Sequence, residues 1–368
     1  MPGIITHYRV LYETLNYLKK QKRKNSFINS IEALFNSGIF RKAGLFGAIG
    51  PNIFDYLPFQ KSGNNPGSII SYNLHSSRSE IFLKSMLNTI LSYNDNNNEW
   101  SSAQRAYYYG MISHLVTDSV FHPYIYYWSG FSNTQNRKDQ FYFREQHLLF
   151  EYNLDLYFSR PDDRNSYDNQ FSFDINDMLP LIKRNRIKHM SPAVKSILTN
   201  AIKNANPEFY KKYNKIKTAD NSNPVLDQLI DKLPYFIKLT YKIKKSRNRN
   251  IIKVLNFIKR KNIIYSDYLI NYPPPGKVNT HVLNLHKERW FHPSGTSGLH
   301  YESVHDLLSI SCRKISDIWL KTEKLLFDKV DNKKKMDADN DFKINSYTGL
   351  YDKDISSMNL QDPVKLKF

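Results

Sequence analysis

The sequence predicts an all-α protein. Three observations carry that expectation: apolar residues recur three and four apart in long segments, nothing alternates as a strand, and Gly, Pro and Asn gather between the periodic segments. The first segment places Tyr8, Leu11, Leu15 and Leu18 on one helical face and ends in the basic run Lys19-Lys20-Gln21-Lys22-Arg23-Lys24. Further helical patterns cover roughly 26–38, 79–94, 102–123, 138–158, 192–205, 224–260 and 302–330. The breaks between them fall at Gly47–Gly67, Asn94–Asn98, Arg160–Asp174 and Tyr272–Gly276. Between Lys238 and Lys261, Lys and Arg alternate with Ile and Phe, which on a helix gives one apolar and one basic face. That pattern suits a core helix with a solvated side, or a contact with a membrane surface. After about residue 331 the chain turns polar, with Lys333-Lys334-Lys335, so the expected organisation is one domain over 1–330 and a loosely attached tail over 331–368. No internal repeat is visible.

Composition narrows the class. A hydrophobic share of 40%, with 26 Tyr and 22 Phe, is enough for a large core and excludes a disordered chain. The net charge of +19 favours anionic partners, whether phospholipid surfaces, nucleic acid or phosphorylated small molecules, and does not choose among them. Cys312 is the single cysteine, which excludes an intrachain disulfide and an all-cysteine zinc site. Any metal must therefore be held by His and carboxylates. The start Met1-Pro2-Gly3-Ile4-Ile5-Thr6-His7 lacks a charged region followed by an apolar run, and no stretch approaches the roughly 18 apolar residues of a membrane span, so the expectation is a soluble, cytoplasmic protein.

The chemistry concentrates in Ser113-His114-Leu115-Val116-Thr117-Asp118-Ser119-Val120-Phe121-His122-Pro123. Steps of four advance about 40° each on a helix, so His114, Asp118 and His122 share one narrow face. Two imidazoles and a carboxylate on one stripe suit a divalent metal of the zinc type. His147 and Glu151 repeat the spacing on a second helix, while His75, His7 and the loop Gly50-Pro51-Asn52-Ile53-Phe54-Asp55-Tyr56 lie upstream. The plainer reading makes these polar residues satisfied by core hydrogen bonds; two independent pairs at ligand spacing weigh against it. His281 and His286, like His300 and His305, stand five apart, about 140° from each other on a helix, which favours surface or structural roles.

Together these motifs resemble the zinc-dependent phospholipase C family, whose fold is shared with single-strand-specific fungal nucleases. The resemblance rests on Thr6-His7-Tyr8, the Gly50–Phe54 loop, His75, the His114/Asp118/His122-Pro123-Tyr124 helix and His147/Glu151. It extends to Trp290-Phe291-His292-Pro293-Ser294-Gly295, followed by Glu302-Ser303, and covers most of residues 1–325. It implies a multi-helix bundle around a cluster of two or three zinc ions. One zinc would take Asn52, His75, His114 and Asp118; a second His122, His147 and Glu151; a third His7 and a share of Asp118, with the terminal amine as a further donor. Where the family has Asp, this chain has Asn52, a neutral oxygen that binds zinc more weakly and accepts no proton. Asp55 stands three residues on as a candidate proton acceptor. The implied reaction is hydrolysis of phospholipid to diacylglycerol and a phosphorylated head group by metal-activated water, at an anionic membrane surface. A single-strand nuclease and a non-catalytic zinc protein are the alternatives, the first requiring a base-stacking groove and the second motivated by Asn52.

Overall fold

The computed structural model describes residues 3–21, 25–57, 66–131, 137–159, 171–185, 187–215, 225–260, 271–274, 278–295, 298–328 and 342–358. Its helices run in chain order α1 (Ile4–Lys20), α2 (Ser26–Asn36), α3 (Gly38–Gly47), α4 (Pro66–His75), α5 (Ser79–Leu91), α6 (Glu99–Ser129), α7 (Arg137–Phe158), α8 (Pro192–Ala205), α9 (Pro207–Lys215), α10 (Val225–Lys245), α11 (Arg249–Arg260) and α12 (Val304–Phe327). The protein is all-α. The strands β1 (Leu181–Arg184), β2 (Ile187–Met190), β3 (Trp290–Phe291) and β4 (Leu299–His300) form only two short antiparallel pairs, β1 with β2 and β3 with β4. The expectation of no strand is corrected to this extent: two-residue and four-residue strands are too short to show a period.

The axis of the bundle is α6, 31 residues long and buried on every side. A helix enclosed all round has no polar stripe, which is why its sequence mixes Tyr, Ala, Met, Ile and Leu without a clear amphipathic rhythm. Asn98 caps its start by accepting the Ser101 amide, and Gly130 ends it in a positive-φ conformation. Across it lies α3 at very close range: a Cβ built on Gly110 would stand 1.9 Å from the Gly44 carbonyl oxygen. Only glycine there lets the two backbones meet. From the other side α12 anchors through Trp319, whose indole donates to the Tyr109 carbonyl at 3.1 Å, and Glu323, which accepts from the Tyr109 hydroxyl at 2.6 Å. α12 opens with a capping box between Ser303 and Asp306.

At the start of α1 the orphan amides find a carboxylate. Asp155 on α7 accepts from the Thr6 amide and the Thr6 hydroxyl, both at 2.8 Å, and from the Tyr272 hydroxyl at 2.7 Å. A negative group at a helix N-terminus answers the macrodipole, and here it fixes the turn that carries His7.

Several boundaries differ from the sequence reading. The pattern at 26–38 divides into α2 and α3 at Ser37, and the span 47–67 read as a loop contains a 3-10 turn (Gly50–Tyr56) and the start of α4. The long pattern 224–260 breaks at 246–248 into α10 and α11. The largest correction concerns the tail. Residues 342–358 pack on the body, with Phe342, Ile344, Ser346, Thr348 and Met358 buried. The remaining residues of 331–368, the basic stretch 22–24 and the chain start at Met1-Pro2 lie outside the described residues.

Candidate metal centre

Four elements bring two groups of ligand-type side chains to the middle of α6. In the first, Asp118 is the hub. One carboxylate oxygen lies 3.2 Å from His7 Nε2 on α1; the other lies 3.1 Å from His114 Nε2 and 3.4 Å from His75 Nε2 at the end of α4. The His7 and His114 rings stack at 4.0 Å, and His75 Nε2 stands 3.0 Å from His114 Nε2. His75, His114 and Asp118 are fully buried, and His7 nearly so. In the second group His147 Nε2 lies 2.7 Å from Glu151 Oε1 on α7, and the His147 ring is 5.5 Å from that of His122. Ligand atoms within each of the sets His7/His114/Asp118 and His122/His147/Glu151 all fall within 4.8 Å of one another.

The far side of each ring explains the near side. His114 Nδ1 faces the Ala48 carbonyl at 3.0 Å, His75 Nδ1 faces the Ser71 carbonyl at 2.6 Å, and His122 Nδ1 faces the Ser346 carbonyl. A carbonyl only accepts, so each ring donates from Nδ1 and turns Nε2 inward, which offers a lone pair wherever the ring carries no second proton. The Nε2 atoms of His75 and His114 thus meet 3.0 Å apart, both beside the same Asp118 oxygen. Imidazole nitrogens and a carboxylate converging in a buried space make a candidate cation site.

The protonation states agree. Burial pushes His7 and His114 below the usual imidazole range, and His122 and His147 well below it, which favours the neutral form of each. Burial alone would raise Asp118, yet it lies well below the usual carboxylate range, an effect that the facing His114, His122 and His7 exert when one of them carries a proton. Glu151 goes the other way, driven well up by burial.

The loop between α3 and α4 is built against the first group. Gly50 adopts φ +66°, and a Cβ there would fall 2.1 Å from the His114 ring, so glycine is required on both counts. Two residues on, the buried Asn52 Oδ1 makes no hydrogen bond. Asp55 accepts from the Ser71 hydroxyl at 3.0 Å, and the Ser71 carbonyl in turn faces His75. Burial raises Asp55 above its ordinary value. This chain therefore places Asp55 behind His75 through Ser71.

Other residues that drew attention are scaffold. Trp290 donates to the Glu302 carbonyl at 3.2 Å and stacks on His300 at 4.4 Å; His281 meets Trp128 edge-on at 5.2 Å, and His305 Nε2 pairs with the Tyr157 hydroxyl at 2.8 Å. Sequence reasoning missed Asp155, Ser346 and Tyr347. A buried carboxylate one turn past Glu151 was the available signal for Asp155; the other two offered none.

An all-α bundle enclosing imidazole and carboxylate donors of this kind, with their ligating atoms bare, defines a metallohydrolase of the zinc type. A family model described as "Zinc dependent phospholipase C" matches residues 6–233, and the chain belongs to that family. Comparison with curated proteins and with solved structures gave no match. The protein is thus a zinc-dependent hydrolase of the phospholipase C type, with phospholipid as its substrate class. Among the described residues no helix is long and apolar enough to cross a membrane.

Proposed function

We propose that His7, Asn52, His75, His114 and Asp118 hold one or two zinc ions, that His122, His147 and Glu151 hold another, and that the pair of groups cleaves phospholipid to diacylglycerol and a phosphorylated head group. The observation that carries this reading is the convergence of His75 and His114 Nε2, 3.0 Å apart, on the buried Asp118. Zinc bound there supplies an activated water and neutralises the phosphate oxygens and the leaving alkoxide. The chain's own residues do the rest. Ala48, Ser71 and Ser346 carbonyls hold the rings in ligand orientation; Asp55, raised by burial and held by the Ser71 hydroxyl, is the candidate proton acceptor; Asn52 supplies a neutral oxygen where a charged one would bind more tightly.

The surface where this chemistry takes place is an anionic bilayer. On α11, Ile251, Val254 and Phe257 fall within an arc of about 120°, and Val254 and Phe257 are each 57% exposed. Exposed Arg249 and Lys253 lie together to one side of that face, and Lys242, Lys244 and Lys245 close α10 just before it. An apolar ridge with basic residues beside it fits the boundary between acyl chains and anionic head groups.

Elemental analysis of protein purified without chelator or His-rich tag tests the metal reading. Two or three zinc per chain, with diacylglycerol released from phospholipid vesicles, is the expected result; no zinc after zinc supply sinks it. Degradation of single-stranded DNA in place of lipid would favour the nuclease reading. Replacing Val254 and Phe257 by Asp is expected to reduce binding to anionic vesicles while water-soluble phosphodiester turnover persists.

A further inference from the structure

The stretch 342–358 stands beyond the residues matched by the family, yet it enters the metal centre. Ser346 touches three points there. Its amide donates to the His75 carbonyl at 2.8 Å, its hydroxyl donates to the Leu115 carbonyl at 3.1 Å, and its carbonyl accepts from His122 Nδ1 across 224 residues of sequence. The next residue, Tyr347, lies nearly parallel to the His122 ring at 5.7 Å and 17°, and packs on His75 at 5.7 Å and Tyr72 at 5.3 Å. The same ring therefore borders a histidine of each group. The Thr348 carbonyl accepts from His292 Nε2 at 3.0 Å, which ties the segment to the loop after β3.

A built turn holds this arrangement. Asn345 Oδ1 accepts from the Tyr347 amide at 3.0 Å and the Thr348 amide at 3.2 Å, while its side-chain amide donates to the Lys353 carbonyl at 2.9 Å. Gly349 follows at φ +70°, where a Cβ would stand 2.4 Å from the Ser119 carbonyl oxygen of α6. The turn thus rests on α6 between Asp118 and His122.

From this geometry we infer that the segment 342–358 is the positioning element of the second zinc subsite, fixing the tautomer and ring orientation of His122 and so setting how tightly that subsite binds zinc. The inference rests on the assignment of His122, His147 and Glu151 proposed above. A neutral imidazole has one N–H. If no acceptor holds it on Nδ1, it can sit on Nε2, which then has no lone pair to give. For His75 and His114 the acceptors are Ser71 and Ala48, both inside the matched region; for His122 the acceptor comes from the far end of the chain. The second subsite is complete only with the segment in place.

Zinc affinity separates this role from general stability. Apo full-length protein is titrated with Zn²⁺ against a chromogenic chelator, with Asn345→Ala, Asn345→Asp and Gly349→Ala alongside, and helix content and thermal melting are followed by circular dichroism. In Asn345→Ala and Gly349→Ala one zinc is expected to weaken by about tenfold or more while the others keep their affinity, as removal of a partner behind a ligand does. Asn345→Asp, which keeps the acceptor for both amides, is expected to restore the wild-type pattern. Cobalt loaded in place of zinc is expected to show an altered visible spectrum for one ion only. Unchanged affinities in folded variants overturn the inference and leave the zinc reading standing. Equal weakening of every ion overturns it too, because that marks a packing effect. A wild-type protein that binds no zinc overturns both.

Discussion

The two ligand groups share a spacing and differ in almost everything else. His114 and Asp118 stand four apart on α6, as His147 and Glu151 do on α7, yet Asp118 sits well below the usual carboxylate range and Glu151 well above it. The cause lies in the neighbours. Asp118 is ringed by His7, His75 and His114 from α1, α4 and α6, whereas Glu151 is close to Asp118 and Asp155, which oppose its ionisation beyond the cost of burial. Identical motifs therefore give one group already charged for a cation and one that must give up a proton to receive it.

The largest expected effect comes from the hub. Asp118→Asn is predicted to strip zinc from the first group and to lower phospholipid hydrolysis by about a thousandfold or more, the scale of several kcal/mol of lost charge stabilisation; elemental analysis and a turnover assay check it. His147→Ala is predicted to remove one zinc only and leave the first group loaded, so the two variants should differ in stoichiometry. If both lose all metal, the groups are not separable.

The pH dependence should divide them in the same way. Glu151, raised by burial, is protonated over a range where an ordinary Glu is ionised, so zinc uptake by the second group releases a proton. Below the titration of Glu151, zinc affinity there is predicted to rise with pH by up to about tenfold per unit, and to level off above it. Asp118 is ionised and its histidines are kept neutral by burial, so the first group should show a shallower slope across the neutral range. Competition titrations at about pH 6, 7 and 8 measure both slopes; equal slopes would remove the contrast.

A smaller effect is expected from Asn52→Asp, which adds a charged oxygen beside the first group only. It is predicted to tighten zinc binding there by about tenfold and to leave the second group unaltered. The smallest test concerns the scaffold common to both. Gly110→Ala forces α3 away from α6 and is predicted to cost about 1–3 kcal/mol of stability, read as a lower midpoint in chemical denaturation, with no preference between groups.

What the sequence made legible follows from the same physics. The shared faces of His114, Asp118 and His122 on α6 and of His147 and Glu151 on α7 were legible because a helix converts a spacing of four into one face. Breaks were harder. Gly47 does end α3, but it and Gly44 are also crowded by α6, and glycine read only as punctuation does not show that close approach. Residues 342–358 were hardest, since Ser346 acts through its backbone carbonyl and amide, and every residue type but proline offers both. Neither periodicity nor composition marks such a contact.

The single helix α6 carries His114, Asp118 and His122, and so serves as a ruler between the two proposed metal groups. Its rise of about 1.5 Å per residue cannot stretch, and one inserted residue between Asp118 and His122 would swing His122 by about 100° off the common face. Side chains along this segment are open to exchange one at a time, but its length is not. Evolution can retune the metals here by substitution and is barred from doing so by insertion or deletion.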